Sequence, residues 1–93
     1  MRLIVNMNNK VLIKLYVPYL DNTFDIFIPV NEVIWKITSL TYSGSCQLSG
    51  LVAQRSDKLI FINRVTNEIY SPNTTIYDSN IRNGTELVLL IQK

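Results

Sequence analysis

Acid–base and metal chemistry at neutral pH falls most often to histidine, and these 93 residues contain none. Cys46 is the single cysteine, so an internal disulfide is excluded and a reducing compartment is expected. With no histidine to take its proton, Cys46 reads as an unreactive loop thiol. The seven carboxylates (Asp21, Asp25, Glu32, Asp57, Glu68, Asp78 and Glu86) are spread along the chain, with neither calcium-loop spacing nor a paired-acid motif. Three glycines supply no phosphate-binding loop. The expectation is no catalytic, cofactor-binding or metal-binding residue, and no enzyme. Binding remains. Its candidate residues are the aliphatic side chains of Ile60, Ile62, Val88 and Leu90, together with Trp35.

The elements that must hold those residues follow from periodicity. Residues 10–17 alternate with period two, placing Val11, Ile13, Leu15 and Val17 on one face of a strand. Pro18 to Asn22 is turn chemistry, and residues 23–29 alternate again, with Phe24, Ile26 and Ile28 together. These make an opening hairpin. The period then lengthens. Asn31 is read as a helix N-cap with Glu32 in the first turn. Val33, Ile37 and Leu40, flanked by Ile34 and Thr41, form the apolar stripe, with Trp35 roughly opposite and Lys36 beside it. Ser43-Gly44-Ser45 is expected to stop the helix near Tyr42, leaving 43–57 as a loop with at most one helical turn around 48–54. Strands follow at 58–64 and 85–92, with a short edge strand at 68–71 and a glycine turn at Asn83-Gly84.

Strand parity turns Leu59 and Phe61 inward and Ile60 and Ile62 outward; Leu87, Leu89 and Ile91 face the core, Val88 and Leu90 the other side. Four or five strands and one helix that cannot bury its stripe alone give an α+β fold, a mixed sheet packed on one helix. In that β-grasp arrangement strands 58–64 and 85–92 are neighbours. Ile60, Ile62, Val88 and Leu90 then make one apolar patch on the face away from the helix. The competing reading is that residues 1–9 or the 43–57 loop cover this patch, or that its members are ordinary exposed aliphatics. Trp35 is either a hot-spot residue or a satellite core under the same loop.

Bulk properties bound the partners. The chain has the length of one domain, 47% apolar residues and a net charge of +2 from scattered basic residues. Nucleic-acid binding, which needs a basic stripe, is not expected. Lys36, Arg55, Lys58 and Arg64 read as solvated charges. No stretch approaches the roughly 20 apolar residues of a membrane span, and no signal peptide is recognised, so a cytoplasmic protein without direct membrane insertion is expected. Residues 1–9 have no place in the minimal fold. They read as an extra strand or arm, or as a hairpin with 10–17 turning at Asn8-Asn9. The later hairpin is preferred because it leads directly into the helix.

Three segments resemble ubiquitin: Lys58-Leu59-Ile60-Phe61, the run from Asp78 to Leu89, and Glu32-Val33-Ile34-Trp35-Lys36-Ile37. A closer resemblance is to the bacterial ubiquitin-like YukD/EsaB family of type VII secretion systems. It is carried by Phe24-Asp25-Ile26-Phe27-Ile28-Pro29-Val30 entering an Ile-rich helix, and by Ile81, Asn83-Gly84 and the apolar Leu87-Val88-Leu89-Leu90. The resemblance implies a ubiquitin-like β-grasp over 1–93. Ile60 and Leu90 align with the aliphatic positions by which ubiquitin is recognised. The family's implied role is an accessory or regulatory protein of the WXG100-exporting (ESX) machinery, bound to its membrane ATPase or cytoplasmic partners, at the inner face of the membrane through them. Conjugation requires a terminal diglycine, and the sequence ends Ile91-Gln92-Lys93, so a non-conjugated protein is expected. The alternative is a general ubiquitin-like interaction module, a ubiquitin mimic or an oligomerisation domain. Homodimerisation through the patch is a further expectation.

Overall fold

The structure, a computed structural model, describes residues 9–53 and 58–92. The early-hairpin alternative and the arm at 1–9 fall outside these residues, Asn9 excepted. In chain order the elements are β1 (Lys10–Val17), a 3-10 turn (Pro18–Leu20), β2 (Asn22–Pro29), α1 (Ile34–Leu48), β3 (Lys58–Asn63) and β4 (Glu86–Gln92). The sheet order is β2-β1-β4-β3. β1 and β2 pair antiparallel from Lys10↔Pro29 to Val17↔Asn22, so the preferred hairpin forms. β1 lies parallel to β4 through Lys14↔Glu86 and Tyr16↔Val88, and β3 antiparallel to β4. The mixed four-stranded sheet with one helix is the expected α+β arrangement.

Alternation places the core where the parity argument put it. Val11, Ile13, Leu15 and Val17 of β1, Phe61 of β3, and Leu87 and Leu89 of β4 are buried between sheet and helix. Ile76, Ile81 and Tyr70 close the layer from the long segment between β3 and β4. There the short strand expected at 68–71 reduces to one bridge, Ile62↔Ile69. Tyr70 is held by its hydroxyl, which donates to Asn80 Oδ1 at 2.6 Å and accepts from Asn63 Nδ2 at 3.1 Å. Asp21 takes the left-handed conformation (φ 49°) that ends the 3-10 turn, which a short polar side chain tolerates.

The helix departs from expectation at both ends. It starts at Ile34, with Val33 as an N-cap that makes no side-chain cap. The first N–H groups are satisfied by backbone from elsewhere: Ile34 N–H donates to Thr74 O (2.9 Å) and Trp35 N–H to Pro72 O (3.1 Å). In return Ile76 and Tyr77 N–H donate to the carbonyls of Glu32 and Val30, holding residues 30–32 out of the helix. Asn31 is therefore not the cap. At the other end the helix runs through Ser43-Gly44-Ser45, because Tyr42, Ser45 and Cys46 are buried on its sheet-facing side. Tyr42 also meets Tyr19 of the 3-10 turn edge-on, with ring centroids 6.1 Å apart. Burial of these groups outweighs the ~0.5–1 kcal/mol that a helical glycine costs relative to alanine. Cys46 thus belongs to the core and not to a loop.

The actual stop is Gly50, at φ 72°. Its N–H donates to Gln47 O and the Leu51 N–H to Cys46 O, the paired bonds of a Schellman motif. The two glycines predict opposite outcomes. Gly50→Ala should cost about 1–2 kcal/mol for a left-handed residue with a Cβ. Gly44→Ala should stabilise by about 0.5–1 kcal/mol, because a Cβ there meets nothing within 4 Å. Urea melts of the two variants check this; equal signs would mean that the helix ends elsewhere.

The apolar stripe is rotated as well. Leu40 is 66% exposed, whereas Thr38 and Thr41 are buried. Each threonine returns its hydroxyl to the helix, Thr38 Oγ1 to Trp35 O (2.9 Å) and Thr41 Oγ1 to Ile37 O (2.8 Å). The methyl groups are then available to pack. The buried stripe is Ile34, Ile37, Thr38, Thr41, Tyr42, Ser45 and Cys46.

Candidate functional site: the sheet face away from the helix

The register brings the four aliphatic candidates together. Ile60 pairs directly with Leu90, and Ile62 with Val88, on adjacent antiparallel strands. Directly opposed side chains have Cβ atoms about 4.5–5.5 Å apart, so the four are in mutual reach. All four are half-buried, as one another's neighbours would make them. Their parity is opposite to that of Phe61, Leu87 and Leu89, which lie in the core, so they face away from α1.

Two further residues border the patch. Tyr16 pairs with Val88 across the parallel β1–β4 ladder and so borders the patch. Arg64 follows β3, with its N–H donating to Glu86 O at 2.9 Å, and its guanidinium carbon lies 5.1 Å from the Tyr16 ring centroid. Arg64 is thus more than a solvated charge: it is stacked, a contact worth about 0.5–1 kcal/mol at an exposed site. Tyr16 Oη donates to Asp21 Oδ1 at 3.2 Å. That bond raises the Tyr16 phenol above its ordinary value, burial and the Asp21 charge act the same way, and Arg64 opposes them. Lys14 and Asp25 (3.9 Å apart), Glu86 and Arg64 supply charge on the same face. An apolar centre with a polar margin is the usual anatomy of a protein-binding surface.

Tyr16 lies outside a patch argued from β3 and β4 alone, and Arg64 reads there only as a solvated charge. The signal was present in the parity of β1, since Tyr16 alternates with buried Leu15 and Val17. It becomes usable only once β1 is known to lie beside β4.

Trp35 does not join this site. It sits in the first turn of α1, on the other side of the sheet, and is 50% exposed. Lys36 Nζ lies 5.8 Å from its ring centroid and 3.7 Å from Glu32 Oε1. Among the described residues no group of three or more His, Cys, Asp or Glu could hold a metal ion, and no helix is long and apolar enough to cross a membrane.

No protein-family model matches the sequence, and no curated protein matches it. Solved structures do match. A ubiquitin-like domain of EccD5 from Mycobacterium xenopi aligns with TM-score 0.66 at 10% identity, over 90% of this chain and 96% of that one. This chain has a ubiquitin-like β-grasp fold. The same fold recurs within a chain of the MycP5-free ESX-5 inner membrane complex, with TM-score 0.70 at 8% identity, over 90% of this chain and 21% of the other. A chain of the toluene 4-monooxygenase HD complex with 4-bromobenzoate aligns with TM-score 0.74 at 11% identity, over 89% of this chain and 99% of that one. Identities this low establish the shared β-grasp and nothing finer.

Proposed function

We propose that this ubiquitin-like protein is a non-enzymatic accessory or regulatory component of a bacterial type VII secretion system. It binds a component of the machine, the membrane ATPase or its cytoplasmic partners, through Ile60, Ile62, Val88 and Leu90, and works on the cytoplasmic side of the membrane. The observation that carries this reading is the face itself: two directly opposed aliphatic pairs on β3 and β4, rimmed by charge. The secretion context is supported by the short motifs from Phe24 to Val30 and from Ile81 to Leu90, and by the likeness to EccD5 and to the ESX-5 complex.

The test is direct. The purified full chain is titrated calorimetrically into the cytoplasmic region of a type VII membrane ATPase from the same organism, and the gene is deleted in parallel. Saturable binding in the micromolar range and a loss of substrate export are expected. Absence of heat together with unchanged secretion and transcript levels would remove the secretion role.

A second reading is a general ubiquitin-like interaction module unrelated to secretion. It is favoured by the equally good likeness to a chain of the toluene 4-monooxygenase complex, an assembly of another kind. Under it the same face binds, but the deletion leaves export intact.

A further inference from the structure

At the Lys10 end of the sheet the long segment between β3 and β4 meets the start of β1, and a pocket of about 300 Å³ lies between them. Val11 and Ile81, both buried, give it an apolar floor together with Val30. Asn9, Asn31, Tyr77 and Arg82 line the rest. Main-chain bonds tie the walls to one another. Val30 N–H donates to Asn9 O (2.7 Å), and Tyr77 N–H donates to Val30 O (2.9 Å). Three segments distant in sequence thus build the pocket, and none of them can open it alone.

Arg82 is the single charged residue lining this pocket, and both its main chain and its head group are held. Its N–H donates to Thr85 Oγ1 (2.9 Å), and its carbonyl accepts from Thr85 N–H (3.1 Å). Nη1 donates to Ser79 O and to Ile81 O, each at 2.8 Å. Both Nη1 hydrogens are thereby used on carbonyls, which bring no neutralising charge. The other edge of the guanidinium, Nε with Nη2, makes no hydrogen bond to a described residue. Among the described residues no carboxylate lies within ion-pair distance of Arg82. The Nε–Nη2 edge is a fork that takes a carboxylate through two parallel bonds. The side chains of Asn9, Asn31 and Tyr77 also make no hydrogen bond to a described residue. A primary amide offers one acceptor and two donors, which matches the N–H and C=O of a peptide group.

We infer that this pocket captures the free C-terminal residue of a partner protein. The terminal carboxylate sits on the Nε–Nη2 edge of Arg82. The last side chain is aliphatic, the size of valine or leucine, and rests on Val11, Val30 and Ile81. The amides of Asn9 and Asn31 bond the last peptide group, and the partner leads off past exposed Tyr77 into solvent. A pocket of about 300 Å³ has room for one such residue and not for a strand or a helix. Only a chain end carries a carboxylate and an aliphatic side chain on the same carbon; an internal acidic residue brings the charge without the apolar group. The fixed guanidinium also loses little freedom when it binds. The site is independent of the Ile60–Leu90 face. β1 and β4 run parallel, and Leu90 lies beyond the Tyr16↔Val88 pair, whereas the pocket is at the Lys10 end. The protein can then hold two partners at once.

The probe is N-acetyl-glycyl-glycyl-valine with a free carboxylate, titrated into the isotope-labelled full chain up to about 10 mM. Saturable shifts with a Kd of about 0.1–1 mM are expected at the amides of Val11, Val30, Tyr77 and Arg82 and at the Arg82 Nε–H. Ile60 and Leu90 should not move. The same peptide ending in a carboxamide should bind at least about tenfold more weakly. Arg82→Lys keeps the charge but loses the fork, and should weaken binding about tenfold or more. Asn31→Ala removes an exposed amide, so it should weaken binding about threefold with an unchanged thermal midpoint, and it keeps the test open if the Arg82 variant is unstable. Several results would overturn the inference. No shift at about 10 mM excludes capture of a chain end. Equal affinity for the carboxylate and carboxamide peptides takes Arg82 out of recognition. Isovalerate binding as tightly as the peptide gives the pocket to a small free acid. Displacement of the peptide by an equal concentration of inorganic phosphate reduces it to a general anion site. Contacts between residues 3–5 and Val30 in the free protein give it to the chain's own N-terminal residues.

Discussion

Replacing Ile60 with lysine and Leu90 with glutamate should weaken partner binding at least about thirtyfold while leaving the fold in place. The two residues are direct cross-strand partners, so opposite charges avoid the repulsion that two lysines would introduce. Both are half-buried on the outer face, and a lysine or glutamate there can extend its head group into water while its stem covers Val88 and Ile62. The expected fall in stability is therefore about 1 kcal/mol or less. Binding is another matter. A protein interface concentrates its energy in a central cluster, and burying an unmatched charge there costs about 2–5 kcal/mol. At 1.4 kcal/mol per factor of ten, the loss corresponds to roughly 30- to 3,000-fold. Calorimetry against the partner and a thermal melt of the same sample measure both halves. Retained affinity would take the binding function away from this face, and gross unfolding would show that the parity assigned to β3 and β4 is wrong.

That parity was legible in the sequence because a strand has only two faces. Once Phe61 was taken as core, Ile60 and Ile62 had to face out, and β1 and β2 yielded to the same logic. The helix was harder for an identifiable reason. The pattern passes over Thr38 and puts Thr41 only at the flank of the stripe, but each satisfies its own hydroxyl within the helix and packs as an aliphatic. Leu40 carried an apolar label and is on the surface. Gly44 looked like a stop and is mid-helix, whereas Gly50 is the stop. The difference between them is the burial of Tyr42, Ser45 and Cys46, which is a tertiary fact.

Other features carried no sequence signal at all. The start of α1 is set by carbonyls of Pro72 and Thr74, backbone groups that every residue type possesses. The buried Ser45 hydroxyl, without a hydrogen-bond partner among the described residues, and the open space at Gly44 depend on what stands beside them, not on their identity. Tyr16 and Arg64 enter the outer face through the adjacency of β1 and β4, a parallel pairing between segments some 70 residues apart, as in Tyr16↔Val88. Pattern within a segment fixes which way a side chain points. Which segments become neighbours is decided by the helix needing a sheet wide enough to cover its stripe.

Phe61→Ala should be the most destabilising single truncation in the chain, costing about 3–5 kcal/mol. Phe61 is fully buried, stands opposite Leu89 in the β3–β4 ladder, and is the largest of the completely buried side chains. Its carbonyl also accepts from the Tyr70 N–H, which fastens the segment that caps α1. The cavity cannot easily collapse, since sheet pairing fixes one wall and the segment from Tyr70 to Ile81 the other. Domains of ordinary size have only about 5–15 kcal/mol of total stability, so the variant should melt far below the parent or fail to fold. Phe61→Leu, which keeps most of the volume, should cost about 1.5 kcal/mol or less and serve as the measurable partner in urea titrations. A cost below about 1 kcal/mol for Phe61→Ala would place this side chain outside the core. The comparison with Ile60 is the sharper use of the experiment. The two residues are adjacent in one strand, and opposite faces must make one change lethal to the fold and the other lethal only to binding.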